Sequence, residues 1–133
     1  MLDPADALAE ALGVLASIRQ RSPAKLIRDR CPELLAAQGQ PCPHTIAASD
    51  AEYTAWVRLK LPEEVAEALT APSPAALVDE LGDVLQVLYT LAGLAGATPT
   101  AIECARARKA TLRGGFARRR IWHPAATPVS AGR

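Results

Sequence analysis

A four-residue break, Ala71-Pro72-Ser73-Pro74, separates two long stretches of helical periodicity, and each stretch carries two acids three residues apart. Before the break, Ser49 with Glu52 three residues later forms a capping-box pattern, and Tyr53, Val57, Leu61, Val65 and Ala68 follow as an apolar stripe to about Ala71. After it, Ser73 caps and Pro74 opens a helix with a broad apolar face of Leu77, Leu81, Val84, Leu85, Leu88, Leu91 and Ala92. So short a connection predicts an antiparallel helical hairpin.

The acids gain meaning from that hairpin. Glu64 and Glu67 lie on one helical face, as do Glu80 and Asp83. Glu64 with Asp83, and Glu67 with Glu80, share one sequence midpoint, and it falls inside the break, so the hairpin sets both pairs opposite each other. Glu64 projects within the stripe of Val57, Leu61 and Ala68, and Glu80 borders Val84, Val87 and Leu91. Glu63 and Asp83 sit further round and are expected nearer solvent. Several partly buried carboxylates at one level are costly unless neutralised. Eight acids lie between Asp50 and Asp83, against Arg58 and Lys60 alone. A bound cation answers the excess, and an all-oxygen ligand set suits Mg²⁺ or Mn²⁺.

The rest of the chain is also read as helical. Asp3 caps and Pro4 opens a first helix ending near Arg21, with Ser22 and Pro23 as punctuation. Lys25 to Gln38 reads as a helical segment interrupted by Pro32 and stopped by Gly39, and 40–48 as a loop. Thr98 and Pro99 start a last helix that ends at Gly114-Gly115. Only 4% of residues are aromatic and β-branched runs are nearly missing, which favours packed helices over sheet. The expected architecture is an all-α antiparallel bundle: one domain over 1–121, with an N-terminal helix in 1–22, followed by a flexible tail over 122–133.

The net charge of +1 conceals a segregation, since no acid follows Glu103 whereas Arg106, Arg108, Lys109, Arg113 and Arg118 to Arg120 do. An acidic centre with a basic flank fits a site for a cation and a phosphorylated ligand together, and solvated helix faces with a basic tail are the plainer alternative. Cys31, Cys42 and Cys104 form no CxxC pair and read as reduced thiols, and Cys42 with His44 lacks a second ligand pair nearby. Asp3, Asp6 and Glu10 stand where a signal peptide needs a basic start and an apolar run, so a cytoplasmic location is expected.

Glu63-Glu64-Val65-Ala66-Glu67 followed by Glu80-Leu81-Gly82-Asp83 resembles the signature of the all-α nucleotide pyrophosphohydrolases, the superfamily of MazG, dimeric dUTPases and phosphoribosyl-ATP pyrophosphohydrolase. The stretches from Lys25 to Glu33 and from Arg113 to Phe116 are similar to the KLVRDxIPE-like opening and RGGF close of a small bacterial subfamily, so the resemblance covers roughly 24–121. It implies a MazG-like fold, Glu64, Glu67, Glu80 and Asp83 as metal ligands, and cleavage of a nucleoside triphosphate, a nonstandard one by preference, to monophosphate and pyrophosphate. Metal ions would neutralise the phosphates and activate a water for in-line attack.

Within that reading Glu63 is the candidate to hold or deprotonate the water, or a structural residue. Lys25, Arg28, Lys109 and Arg113 are candidates for substrate phosphates. Lys25 and Arg28 equally well tie the N-terminal segment to the acids, and Lys109 and Arg113 serve equally well as exposed helix-end cations. Tyr53 and Trp56 could stack on a base, although core packing is their commoner use, and Phe116 and Trp122 read first as packing residues. Pro62, directly before the acids, departs from the pattern and is expected to kink or restart the helix. Family members build sites between subunits, which implies at least a homodimer. The alternatives are hydrolysis of phosphoribosyl-ATP and a non-catalytic nucleotide-binding helical module.

Overall fold

The computed structural model describes residues 3–21 and 24–124. Five helices account for all regular structure among them: α1 (Pro4–Arg21), α2 (Cys31–Ala37), α3 (Asp50–Leu69), α4 (Pro74–Leu94) and α5 (Pro99–Arg113). The chain divides into two compact units, Met1–Pro99 and Thr100–Arg133. None of the described helices is by itself long and apolar enough to cross a membrane.

Local chemistry sets most boundaries. Asp3 caps α1, its carboxylate accepting the Ala5 N–H at 2.8 Å. Ser49 accepts the Glu52 N–H at 3.1 Å, and Glu52 reaches back to the Ala48 N–H at 2.8 Å, one residue earlier than in the standard box. Ser73 accepts from Ala76 N–H at 3.1 Å with Pro74 behind it. At the C-terminal ends of α4 and α5, Gly96 and Gly114 take φ of 77° and 81°, a left-handed conformation that costs glycine little.

Two sequence expectations change. Residues 24–28 form no helix, and Pro32 does not interrupt one: it lies in the first turn of α2, where a missing N–H costs nothing. Nor does Pro62 break or restart α3, which runs on through it to Leu69. The expected tail over 122–133 lies outside the described residues beyond Pro124, as do Ser22 and Pro23.

In the first unit α4 folds back on α3 across 70–73, and α1 also packs against α3. Among the described residues the buried apolar side chains are Val57, Ala68 and Val87, and only Val57 is fully enclosed. Glu64 shares their burial, 7% exposed. On α4 the face opposite Val87 is open to solvent: Leu77, Val78, Leu81 and Leu85 are 40–68% exposed.

In the second unit α5 carries a bidentate, exposed ion pair between Arg106 and Glu103, which holds the Glu103 carboxyl below its ordinary range. Phe116 and Trp122, expected to pack, are 99% and 84% exposed. Packing needs neighbours, and residues 114–124 form no helix that could supply them.

Candidate metal centre

The hairpin brings carboxylates of α3 and α4 together. One oxygen from each of Glu64, Glu67 and Glu80 lies within 4.8 Å of the other two. Glu64 is buried and Glu67 and Glu80 are half-buried. One carboxylate oxygen of Glu64 and one of Glu80 are fully buried without a hydrogen-bond partner.

Such orphaned oxygens carry a desolvation cost of about 1–3 kcal/mol each, more when charged. Burial pushes the Glu64 carboxyl above its ordinary range, the neighbouring charges of Glu67 and Asp83 add to the rise, and Lys60 opposes it. A divalent cation suits this arrangement. Two oxygens on opposite sides of a small cation at about 2.1 Å stand about 4.2 Å apart, so separations up to 4.8 Å close with small side-chain rotations. The donor set fits a hard cation and does not distinguish Mg²⁺ from Mn²⁺.

Asp83 lies beside this trio with a different partner, its Oδ1 paired with the guanidinium of Arg28. The ion pair is largely solvent-exposed, so it is readily exchanged for another partner. Glu63 overturns the expectation of a position near solvent: its side chain is 8% exposed, as buried as that of Glu64. Lys25 Nζ lies 3.3 Å from Glu63 Oε1, and Lys60 Nζ lies 3.0 Å from Oε2. Burial alone would raise the Glu63 carboxyl, yet the ammonium of Lys60, joined by Lys25, outweighs it and the net direction is down. A carboxylate held in that way is a weak base.

Lys60 is the residue that sequence reasoning undervalued. It reaches Glu63 at 3.0 Å and Glu64 at 3.2 Å, and these contacts outweigh its own burial and raise its pKa. The signal was present in the spacing, because Lys60 precedes Glu63 and Glu64 by three and four residues on one helix. Lys25 and Arg28, by contrast, arrive from a segment more than thirty residues away from their partners, so the acids are not restricted to Arg58 and Lys60 for neutralisation. Of the two uses open to Lys25 and Arg28, tying residues 24–28 to the acids is the one the ion pairs display.

Between residues 26–31 and the α3–α4 hairpin lies a cavity of about 440 Å³. Tyr53, Val57, Lys60 and Glu64 line it from α3, four positions of one face that continues across Pro62, and Asp83, Gln86, Val87 and Thr90 line it from α4. Trp56 belongs to a smaller cavity of about 170 Å³ on the α1 side, with Leu15, Ile18 and Glu63. Its indole N–H points to Glu52 at 3.4 Å. Lys109 and Arg113 are exposed, one turn apart at the end of α5 in the second unit. Comparison of the chain with protein-family models, curated proteins and solved structures found no match.

Proposed function

We propose that this chain is a divalent-cation-dependent nucleotide pyrophosphohydrolase. The observation that carries the reading is the convergence of Glu64, Glu67 and Glu80, in which Glu64 and Glu80 each hold one buried oxygen without a hydrogen-bond partner and Glu64 also lines a cavity large enough for an organic phosphate. In the reaction, water adds to the α-phosphorus of a nucleoside triphosphate and the α–β anhydride bond breaks, giving monophosphate and pyrophosphate. Mg²⁺ or Mn²⁺ at the carboxylates would supply charge neutralisation and Lewis acidity. The rigid α3–α4 hairpin holds the ligands in place. Asp83 joins them by exchanging its exposed pair with Arg28, which frees the guanidinium to face a phosphate. Lys60 stays beside Glu64, held there by Glu63.

A second copy of the chain completes the proposal. The open apolar face of α4, set against three buried apolar side chains among the described residues, leaves hydrophobic surface that self-association would bury.

A pyrophosphate-release screen with Mg²⁺ and Mn²⁺, over standard and modified nucleoside triphosphates and phosphoribosyl-ATP, tests the activity. The wild-type chain is expected to turn over at least one compound and Glu64→Gln to lose that turnover. No release from any compound, or equal release by the variant, overturns the reading.

A further inference from the structure

The cavity beside the carboxylates has a chemistry of its own. Its charged lining balances: Arg28, Arg30 and Lys60 stand against Asp29, Glu64 and Asp83. It therefore has no net attraction for phosphate until a cation adds positive charge. The lining also includes apolar and aromatic side chains, Leu26, Leu34, Tyr53 and Val57.

Three neutral polar side chains, Gln86, Tyr53 and Thr90, line the cavity as well. Neither the Gln86 side-chain amide nor the Tyr53 hydroxyl has a hydrogen-bond partner among the described residues, whereas the Thr90 hydroxyl donates to the backbone carbonyl of Gln86 at 2.9 Å. A planar amide with donors and an acceptor, in a cavity that also offers an aromatic ring and apolar side chains, matches a flat heterocycle with a hydrogen-bonding edge.

We propose that this cavity receives the heterocycle of the nucleotide, and that Gln86 is the residue that selects among heterocycles. The inference rests on the pyrophosphohydrolase reading and adds the substrate's recognition end to it. Glu64 lines the cavity and also belongs to the carboxylate trio, so a heterocycle seated there leaves its phosphates at the cation. Tyr53 offers a ring for stacking, a sequence-tolerant contact, while the amide supplies discrimination.

The test compares a probe with a heterocycle against one without. Wild type, Gln86→Leu and Thr90→Phe are assayed with Mg²⁺ on the four standard ribonucleoside triphosphates and on inorganic tripolyphosphate, and their folding is checked by circular dichroism. Gln86→Leu keeps size and helix propensity at an exposed position and guards against a folding failure of the bulkier variant. The expected result is a wild-type preference for one nucleotide over the others and over tripolyphosphate. Gln86→Leu should compress the ranking among nucleotides roughly tenfold or more, and Thr90→Phe should cut the nucleotide-to-tripolyphosphate ratio. Equal kcat/KM for nucleotides and tripolyphosphate in wild type, or variants that move both together, overturns the cavity assignment and leaves the hydrolase reading intact. If wild type cleaves none of the five, the hydrolase reading loses its support on these substrates and calorimetric titration with nucleoside monophosphates decides the cavity: saturable binding weakened by Thr90→Phe supports it, and no binding overturns it.

Discussion

At the scale of single residues, Glu63, Glu64 and Lys60 show how adjacent carboxylates acquire opposite character. Glu64 is raised by burial among acids, so the folded chain holds its proton more tightly than the unfolded one, and this group subtracts stability as pH rises through the carboxylate range. Glu63 is lowered against its burial by Lys60, so it contributes stability above the unfolded value that is lost as pH falls through the folded value. Lys60→Met removes the balancing charge and is expected to destabilise the fold by on the order of 3 kcal/mol at neutral pH. The loss should shrink in acid, as read from denaturant midpoints across about pH 4 to 7. Glu64→Gln removes a buried charge, and its decisive readout is cation response. Wild-type melting should rise with Mg²⁺ or Mn²⁺, by about 2.7 kcal/mol of stability at a hundredfold excess over Kd. The variant should show little rise, and an undiminished one would place the cation elsewhere.

At the scale of elements, α3 carries an internal contradiction. Pro62 removes a donor from the middle of a twenty-residue helix, yet the helix runs through it and keeps Tyr53, Val57, Lys60 and Glu64 on one face. A lone proline costs a helix about 3 kcal/mol relative to alanine. Packing of α3 against both α1 and α4 offsets that cost. Pro62→Ala should therefore stabilise the fold by up to about 3 kcal/mol in denaturant melts, and an unchanged or lower midpoint would show that the proline conformation is built into the packing. The ends of α1, α3 and α4 needed no such compromise: Asp3, Ser49 and Ser73 act within three residues of themselves, which is why they were legible beforehand. Residues 25–38 depart from the expected helix for the complementary reason. Leu26, Ile27, Leu34 and Leu35 supply enough apolar periodicity to suggest one helix, but the side chains of 26–31 line a cavity and residues 25 and 28 reach across to acids.

At the scale of the whole molecule, the deficit is apolar burial. One fully enclosed side chain among the described residues is a small core for a chain that is half hydrophobic, and the exposed leucines of α4 recur at positions 77, 81 and 85, a single helical face. A second copy docked there would bury them. Leu81→Arg places a charge at the centre of that face and should convert a dimer or larger oligomer to monomer in light scattering coupled to gel filtration. A wild-type chain that is already monomeric at tens of micromolar would remove the proposal.

What the sequence determined by itself are the features with a local cause: helix starts set by caps and prolines, stops set by glycines, and the meeting of Glu64 and Glu67 with Glu80, since a four-residue turn leaves two helices little choice but to fold back with those positions facing. Tertiary structure decided the partners. Lys60 meets Glu63 through local spacing, but the second ammonium, that of Lys25, reaches Glu63 only because residues 24–28 come to lie against α3. The pairing of Arg28 with Asp83 joins side chains 55 residues apart, and the cavity exists only where that segment leaves a gap. Contacts at such separation depend on where a non-helical segment comes to lie against two helices, and no spacing rule within one segment encodes them.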